Sequence, residues 1–361
     1  MNGSFNRHGG LTLVPMPGFE DVANRVAEKV RAMATDKAEQ NLHDTPVDIA
    51  YPQFGTRPSG EPYLRLGKEH IGGHDCIVIT SGPGTWEMLG SLELLLRYLA
   101  ARHASRITVF AAYFPLSRSD KDEGEYEFAL PPLFVDLFRK AAAGSDVSLS
   151  RIVSVDLHSP QVVMSAPTGF ITELSMIRRI VAMAIKDALA REERLVISYP
   201  DAGMMSRAGK AVSQVMDTLG ICVPCICGIK ARKSGTKVEI KEVYGPTEFI
   251  RDATVLCLDD EIATGGTNIT TAALLKSEQF GAAKVIAAVT HGVLCGDASM
   301  KFLAPDCPVS SIYCSDTIPI MNRPELVQLV QSGRLRVVEW WRDLAWAVYH
   351  LHWDLSIRVV R

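Results

Sequence analysis

The chain contains no apolar run approaching the roughly 18 residues that a membrane-spanning helix requires. Its N-terminus shows no basic stretch followed by a hydrophobic core of signal-peptide type. A cytoplasmic protein with no membrane partner is therefore expected. Charge of one sign is also lacking: 38 Lys and Arg against 41 Asp and Glu leave a formal net charge of -3. That balance gives no general reason for nucleic acid to be the main partner, and none is expected. Eight cysteines are present, but Cys222, Cys225 and Cys227 are not followed by a second Cys or His pair at zinc-finger spacing. Cys76 and Cys257 fall in apolar, strand-like segments, so reduced and mostly buried thiols are the expected state. Two nucleotide signatures are missing as well. Gly82-Pro83-Gly84 has no third glycine at dinucleotide-binding spacing, and Gly203 to Lys210 departs from the P-loop in spacing and in its final residue.

What is present is an alternation of apolar runs and amphipathic stretches along 361 residues, long enough for two ordinary domains. Leu11 to Val14 precedes a helical pattern near Phe19 to Ala34, Cys76 to Thr80 precedes Trp86 to Ala101, and Ile107 to Ala112 precedes Pro132 to Ala143. The pattern restarts with Ile152 to Val155, a helix near Thr172 to Ala190, and Leu195 to Ser198. It closes with Val255 to Leu258, Ile269 to Phe280, Val285 to Thr290 and a helix near Val338 to His350. Such alternation predicts an α/β protein with mainly parallel sheets flanked by helices. The expected division is a polar, Gly-rich mobile tail at 1–10, a first domain at 11–160 and a second at 161–361, the last helix packing back on the first domain. The Pro- and Gly-rich Gln53 to Pro62 reads as a protruding, irregular loop.

The most informative stretch is TVLCLDDEIATGGTNITT, residues 254 to 271. Val255 to Leu258 has the composition of a buried parallel strand, and Asp259 and Asp260 are expected where that strand ends. Ala263, Thr264, Gly265, Gly266 and Thr267 then form a short loop whose hydroxyls and backbone N–H groups suit a phosphate, with a helix from Asn268 to Leu275 behind it. Carboxylates for two hydroxyls beside a cradle for a phosphate match a phosphorylated sugar.

That order of parts resembles the phosphoribosyl pyrophosphate (PRPP) motif of type I phosphoribosyltransferases and PRPP synthetases. Further segments, in the order found in PRPP synthetases, are Phe54, FPLSRSDKDE from Phe114, DLHSPQ from Asp156, PDAG from Pro200, KARKSGTKVE from Lys230, THGVL from Thr290 and SDTIP from Ser315. The resemblance spans nearly the whole chain from Leu11 and implies two tandem phosphoribosyltransferase-type domains with the active site between them.

The resemblance also implies an activity. Mg2+-bound ATP would be attacked at its β-phosphorus by the 1-hydroxyl of ribose 5-phosphate, giving PRPP and AMP. The loop at 263–267 would hold the 5-phosphate, Asp259 and Asp260 the ribose hydroxyls, and Asp201 the ribose or the metal. Phe54, Glu61, Arg118, Asp120 and His158 would contact ATP, and His158 with Asp201 would ligate Mg2+. Lys230 and Arg232 would close over the triphosphate as the catalytic pair, and the family implies a homo-oligomer.

Departures from the family pattern leave two further readings, a catalytically weak regulatory paralogue and a transferase that consumes PRPP. Ala263 stands where synthetases usually carry Asp, Asp122 and Glu123 add negative charge after Arg118, and Met204 replaces a glycine after PDAG.

Overall fold

The parallel strands are apolar on both faces because helices cover both, and this sets the architecture. The computed structural model describes residues 8–34, 43–68, 70–120, 128–143, 149–234 and 237–357, with side chains at 149–150, 229–234 and 237–242 left out. The chain divides into one unit of Met1–Ser175 with Trp340–Arg361 and a second of Met176–Glu339.

The first unit contains, in chain order, β1 (Leu11–Pro15), α1 (Glu20–Met33), β2 (Val47–Ile49), β3 (Pro52–Thr56), β4 (Pro62–Leu66) and β5 (Asp75–Thr80). It continues with α2 (Trp86–Ala101), β6 (Arg106–Ala111), α3 (Pro131–Ala141), β7 (Leu149–Val155), α4 (Gln161–Met164) and β8 (Ile171–Leu174). Its main sheet is parallel throughout, in the order β2-β1-β5-β6-β7-β8. Every residue of β1 and β5 is buried. Leu92, Leu95, Leu96 and Leu99 of α2, spaced three and four apart, are fully buried, each stabilising the fold by about 2 kcal/mol.

The second unit runs α5 (Ile177–Leu189), β9 (Leu195–Tyr199), α6 (Ala202–Leu219), β10 (Cys225–Ser234), β11 (Lys237–Tyr244), β12 (Thr254–Ile262) and α7 (Gly266–Lys276). Then come β13 (Lys284–Gly292), α8 (Ala298–Leu303), β14 (Ser311–Ser315), α9 (Pro324–Gln331) and β15 (Leu335–Val338). Its sheet order is β11-β10-β9-β12-β13-β14-β15, parallel except for the β10–β11 pair. In each main sheet the first strand sits inside, the second flanks it on one side, and the third parallel strand, β5 or β12, begins the run on the other. That winding places a topological switch point between β1 and β5 in one unit and between β9 and β12 in the other. The last helix, α10 (Trp341–His352), returns to the first unit and packs on α1.

Four expectations are corrected. The unit boundary falls after Ser175 rather than at residue 160, because β8 pairs with β7 and completes the first sheet. The expected helix from Thr172 begins instead as that strand, whose four residues are too few to separate by periodicity from the helix after it. Gln53 to Pro62 is not an irregular loop but spans the antiparallel pair β3–β4, since Pro52 and Pro62 are tolerated at the first residue of each strand. Of the tail, residues 1–7 lie outside the described residues, whereas the Gly10 carbonyl accepts from the Asp75 amide at 2.8 Å and His8 lies 2.9 Å from Asp354.

A buried charge cluster ties α10 into the first unit. Asp75, with no side-chain exposure, accepts from Arg106 Nη2 at 2.6 Å and pairs with His352 Nδ1 at 2.9 Å, while Arg106 also donates to the Leu351 carbonyl. Burial alone would raise the Asp75 pKa, but His352 and Arg106 together hold it below the ordinary carboxylate value. Asp75→Asn is expected to destabilise the protein by about 3 kcal/mol by stranding a buried cation. A depressed folded pKa contributes stability above the unfolded pKa of about 3.9 and loses it as pH falls through the lower folded value. Urea unfolding across a pH series should therefore show the gap between wild type and variant narrowing below about pH 4; a gap independent of pH would refute the assignment.

Candidate functional site

At the switch point of the second unit, β9 and β12 run side by side and then diverge into α6 and α7. Asp201 follows β9 after Pro200 and caps α6, its Oδ1 accepting from the Met204 amide at 2.9 Å. Contrary to expectation, β12 does not stop at the acids. It runs on to Ile262, because Glu261 and Ile262 remain paired with His291 and Gly292 of β13. Asp259 and Asp260 therefore sit in the last turns of a rigid strand. Asp259 is half-buried and its Oδ1 accepts from the Asp260 amide at 3.0 Å; Asp260 is buried.

The 263–267 loop follows at once. Gly265 adopts the left-handed conformation, φ 76°, as the residue before α7. A Cβ there would lie 2.6 Å from the Phe302 ring, so glycine is required both by backbone strain and by space. Gly266 differs: a Cβ would meet nothing nearer than Thr264 Oγ1 at 3.9 Å. Its glycine leaves the backbone open to an approaching group. The helix's first internal bond is Ile269 N to Gly265 O, so the amides of 266–268 are first-turn donors without intrahelical partners. No side chain caps α7. Those amides, the positive end of the helix dipole and the exposed Thr264 and Thr267 make an anion cradle.

Below the loop is a small crevice lined by residues including Ser198, Pro200, Cys257, Asp259, Thr267 and Thr271. Burial, with a smaller contribution from the Asp259 charge, pushes the Cys257 thiol up to about 12, so it is neutral near pH 7 and is no thiolate nucleophile. The crevice's polar side chains include the hydroxyls of Ser198, Thr267 and Thr271, the Asn268 amide and the Asp259 carboxylate.

The remaining expected residues are distributed as follows. Lys230 and Arg232 lie on β10, where their backbones pair with Ile240 and Val238 of β11; their side chains and Gly235 lie outside the described residues. In the first unit, Arg118 is exposed and Asp120 half-buried beyond β6, while Lys121, Asp122 and Glu123 are not described. His158 is half-buried beyond β7, three residues after Val155 and next to a chain reversal in which Asp156 takes φ 37°. Phe54 sits half-buried on β3, opposite Leu64 of β4, and Glu61 is exposed in the connection, accepting from Ser59 at 2.9 Å. The structure thus brings Asp201, Asp259, Asp260 and the 263–267 loop to one sheet edge.

Sequence reasoning missed the parts that support this edge. Leu294 N donates to Ile262 O at 2.9 Å and Cys295 N to Ala263 O at 3.1 Å, so the chain after β13 forms a wall of the loop. Phe302 of α8 closes the space at Gly265. The only available signals were THGVL and SDTIP, quoted as motifs without a role.

No family model matches the chain. A ribose-phosphate pyrophosphokinase of Rhodopirellula baltica is 30% identical over 328 residues, covering 89% of this chain and 93% of that protein. The chain belongs to the ribose-phosphate pyrophosphokinase family. A second member, from Aquifex aeolicus, is 28% identical over 78% of this chain and 82% of its own length. The crystal structure of phosphoribosylpyrophosphate synthetase from Mycobacterium smegmatis superposes with a TM-score of 0.73 at 24% identity, covering 96% of this chain and 99% of that one, which establishes the shared fold. Within this family the tandem α/β units are of phosphoribosyltransferase type, and the match extends through both.

The two loop glycines separate structure from binding. Gly265→Ala should lower stability by about 2 kcal/mol or more, from the left-handed backbone and the Phe302 overlap. Gly266→Ala should leave stability unchanged or raise it by up to about 1 kcal/mol, as Ala usually does in a helix, and, if the loop holds ribose 5-phosphate as proposed below, should weaken its binding. Urea unfolding and calorimetric titration of both variants check this; equal behaviour of the two in either assay would contradict the assigned roles.

Proposed function

We propose that the protein is a ribose-phosphate diphosphokinase that transfers the β,γ-diphosphate of ATP to the 1-hydroxyl of ribose 5-phosphate, releasing AMP. The observation that carries this is the uncapped, glycine-containing N-terminus of α7 following a strand that carries Asp259 and Asp260 near its end, in a chain related to named pyrophosphokinases over 89% of its length. In this reading the 263–267 loop holds the 5-phosphate and Asp259 and Asp260 hold the ribose hydroxyls. Phe54, Glu61, Arg118, Asp120 and His158 are the proposed nucleotide contacts.

Little covalent chemistry is required of the protein. Transfer of this kind depends on aligning the 1-hydroxyl with the β-phosphorus and on neutralising the charge that shifts toward the departing AMP. Donors fixed on strands and helix termini do this without reorganising. Lys230 and Arg232, whose backbones lie on β10 in its antiparallel pair with β11, are the proposed charge-neutralising pair. Of the proposed donors, Asp201 suits a hard divalent cation: it is a carboxylate held in place by its cap bond to Met204, and Mg2+ typically takes one or two carboxylates plus substrate phosphates. His158 and Asp201 are its proposed ligands, and Mg2+ when bound would offset phosphate charge. No helix among the described residues is long and apolar enough to cross a membrane. Assembly as a homo-oligomer and a cytoplasmic location belong to the same proposal.

Phosphorus NMR of the protein with Mg2+, ATP and ribose 5-phosphate tests the activity directly. AMP together with a sugar-linked diphosphate is the expected outcome; ATP left intact while both ligands bind would instead favour the regulatory reading. Lys230→Ala or Arg232→Ala should lower kcat by roughly a hundredfold, the scale for losing one preorganised charge-stabilising donor. Ribose 5-phosphate affinity should stay nearly unchanged, and a parallel loss of affinity and turnover would count against the assigned role.

A further inference from the structure

Two motifs, THGVL and SDTIP, have no part in the reading above, yet the fold joins them in one buried hydrogen-bonded chain. Ser315 Oγ lies 2.6 Å from the Thr290 carbonyl, which can only accept, so the single Ser315 proton is placed there. Thr317 Oγ1, 2.8 Å from Ser315 Oγ, must then donate to it, as the Thr317 amide also does at 3.3 Å. With its own proton spent, Thr317 Oγ1 accepts from His291 Nδ1 at 2.9 Å. The proton bookkeeping therefore requires a proton on His291 Nδ1. His291, Ser315 and Thr317 are all buried, so these hydrogen bonds are costly to leave unmade.

The chain directly after His291 is gripped from the same side. Arg323 donates from Nη2 to the Gly292 carbonyl at 2.7 Å, from Nη1 to the Val293 carbonyl, and from Nε to the Pro319 carbonyl at 3.0 Å. A side chain at Gly292 would fall 2.9 Å from Cys314 Sγ, so the segment has no room to shift toward β14. The next two amides, Leu294 and Cys295, hold the Ile262 and Ala263 carbonyls. Ala263 opens the phosphate loop.

We propose that Arg323 and the Ser315–Thr317–His291 relay are positioning residues for the phosphate loop: they fix residues 291–295, whose amides set where the loop leaves β12. This rests on the reading of that loop as the ribose 5-phosphate site. None of these side chains needs to touch the substrate. Arg323 suits the task because its planar fork reaches two successive carbonyls, which a lysine ammonium cannot do in the same geometry.

The test uses the full-length protein and two readouts. In Arg323→Lys and in Thr317→Val, amide hydrogen exchange should rise in the segments 262–268 and 292–296. The Kd for ribose 5-phosphate should rise roughly tenfold, the order expected for disturbing one charge-assisted bonding arrangement. The Kd for a non-hydrolysable ATP analogue should stay within twofold of wild type. Thr317→Ser, which restores the hydroxyl, should recover wild-type values. Nitrogen-15 NMR of the imidazole should show His291 protonated at Nδ1 in the wild type and losing that preference in Thr317→Val. Unchanged exchange at 262–268 in both variants, or an Nε2–H tautomer in the wild type, would overturn the proposal. A general loss, affecting the ATP analogue as much as the sugar phosphate, would reduce these residues to fold stability. Should exchange rise as expected while the wild type shows no ribose 5-phosphate binding, the brace stands and the functional reading of the loop falls.

Discussion

A parallel strand that carries acids must stop in a way that turns its backbone donors outward, and in the second unit Gly265 imposes that turn. Its left-handed conformation lets β12 pass directly into α7 with the first-turn amides aimed at the sheet edge. The surroundings fit only glycine: Phe302 fills the volume a side chain would need, and the extension of β13 holds the carbonyls just before the turn. Moving any one of these parts would aim the amides elsewhere, and an anion site depends on aim as much as on charge.

The two units show why one of them carries this site. In each, the third parallel strand of the main sheet leads through a glycine-containing connection into a helix, β5 into α2 and β12 into α7. In the first unit Thr85 caps α2 with its own side chain, accepting from the Met88 amide at 3.2 Å. A helix N-terminus already capped from within has fewer donors for a ligand than one left uncapped. One winding therefore presents a capped helix N-terminus in one unit and an uncapped one in the other, decided by a few residues.

Much of this was readable in the sequence. α2 coincides with the expected Trp86 to Ala101, because leucines at helical spacing and a Thr cap mark both its face and its start. The strand, acids and loop of β12 were legible because residue types with distinct physical roles follow one another without a gap. The lost information was of another kind. Asp259 and Asp260 look like a strand end to any rule that reads polarity, yet β12 continues because β13 beside it supplies hydrogen-bond partners, a fact held in a distant segment. β8 was absorbed into the next helix, and with it went the unit boundary. Arg323 gave no signal at all: its role lies in three backbone carbonyls, and carbonyls are the same at every residue.

The same distinction between side chain and backbone bears on Ala263, where the family usually has aspartate. The Ala263 carbonyl is held by the Cys295 amide, and the preceding Ile262 carbonyl by Leu294. Neither bond involves the side chain at 263. The path of the loop is thus set by main-chain pairing and by Gly265, and the residue at 263 is left to determine charge. A carboxylate at that position would add negative charge beside a phosphate cradle and a place to hold a cation or a hydroxyl; alanine offers neither. The departure alters the electrostatics of a loop whose backbone bonds do not require it, so its effect belongs to what the loop binds and how strongly, and not to whether the loop forms.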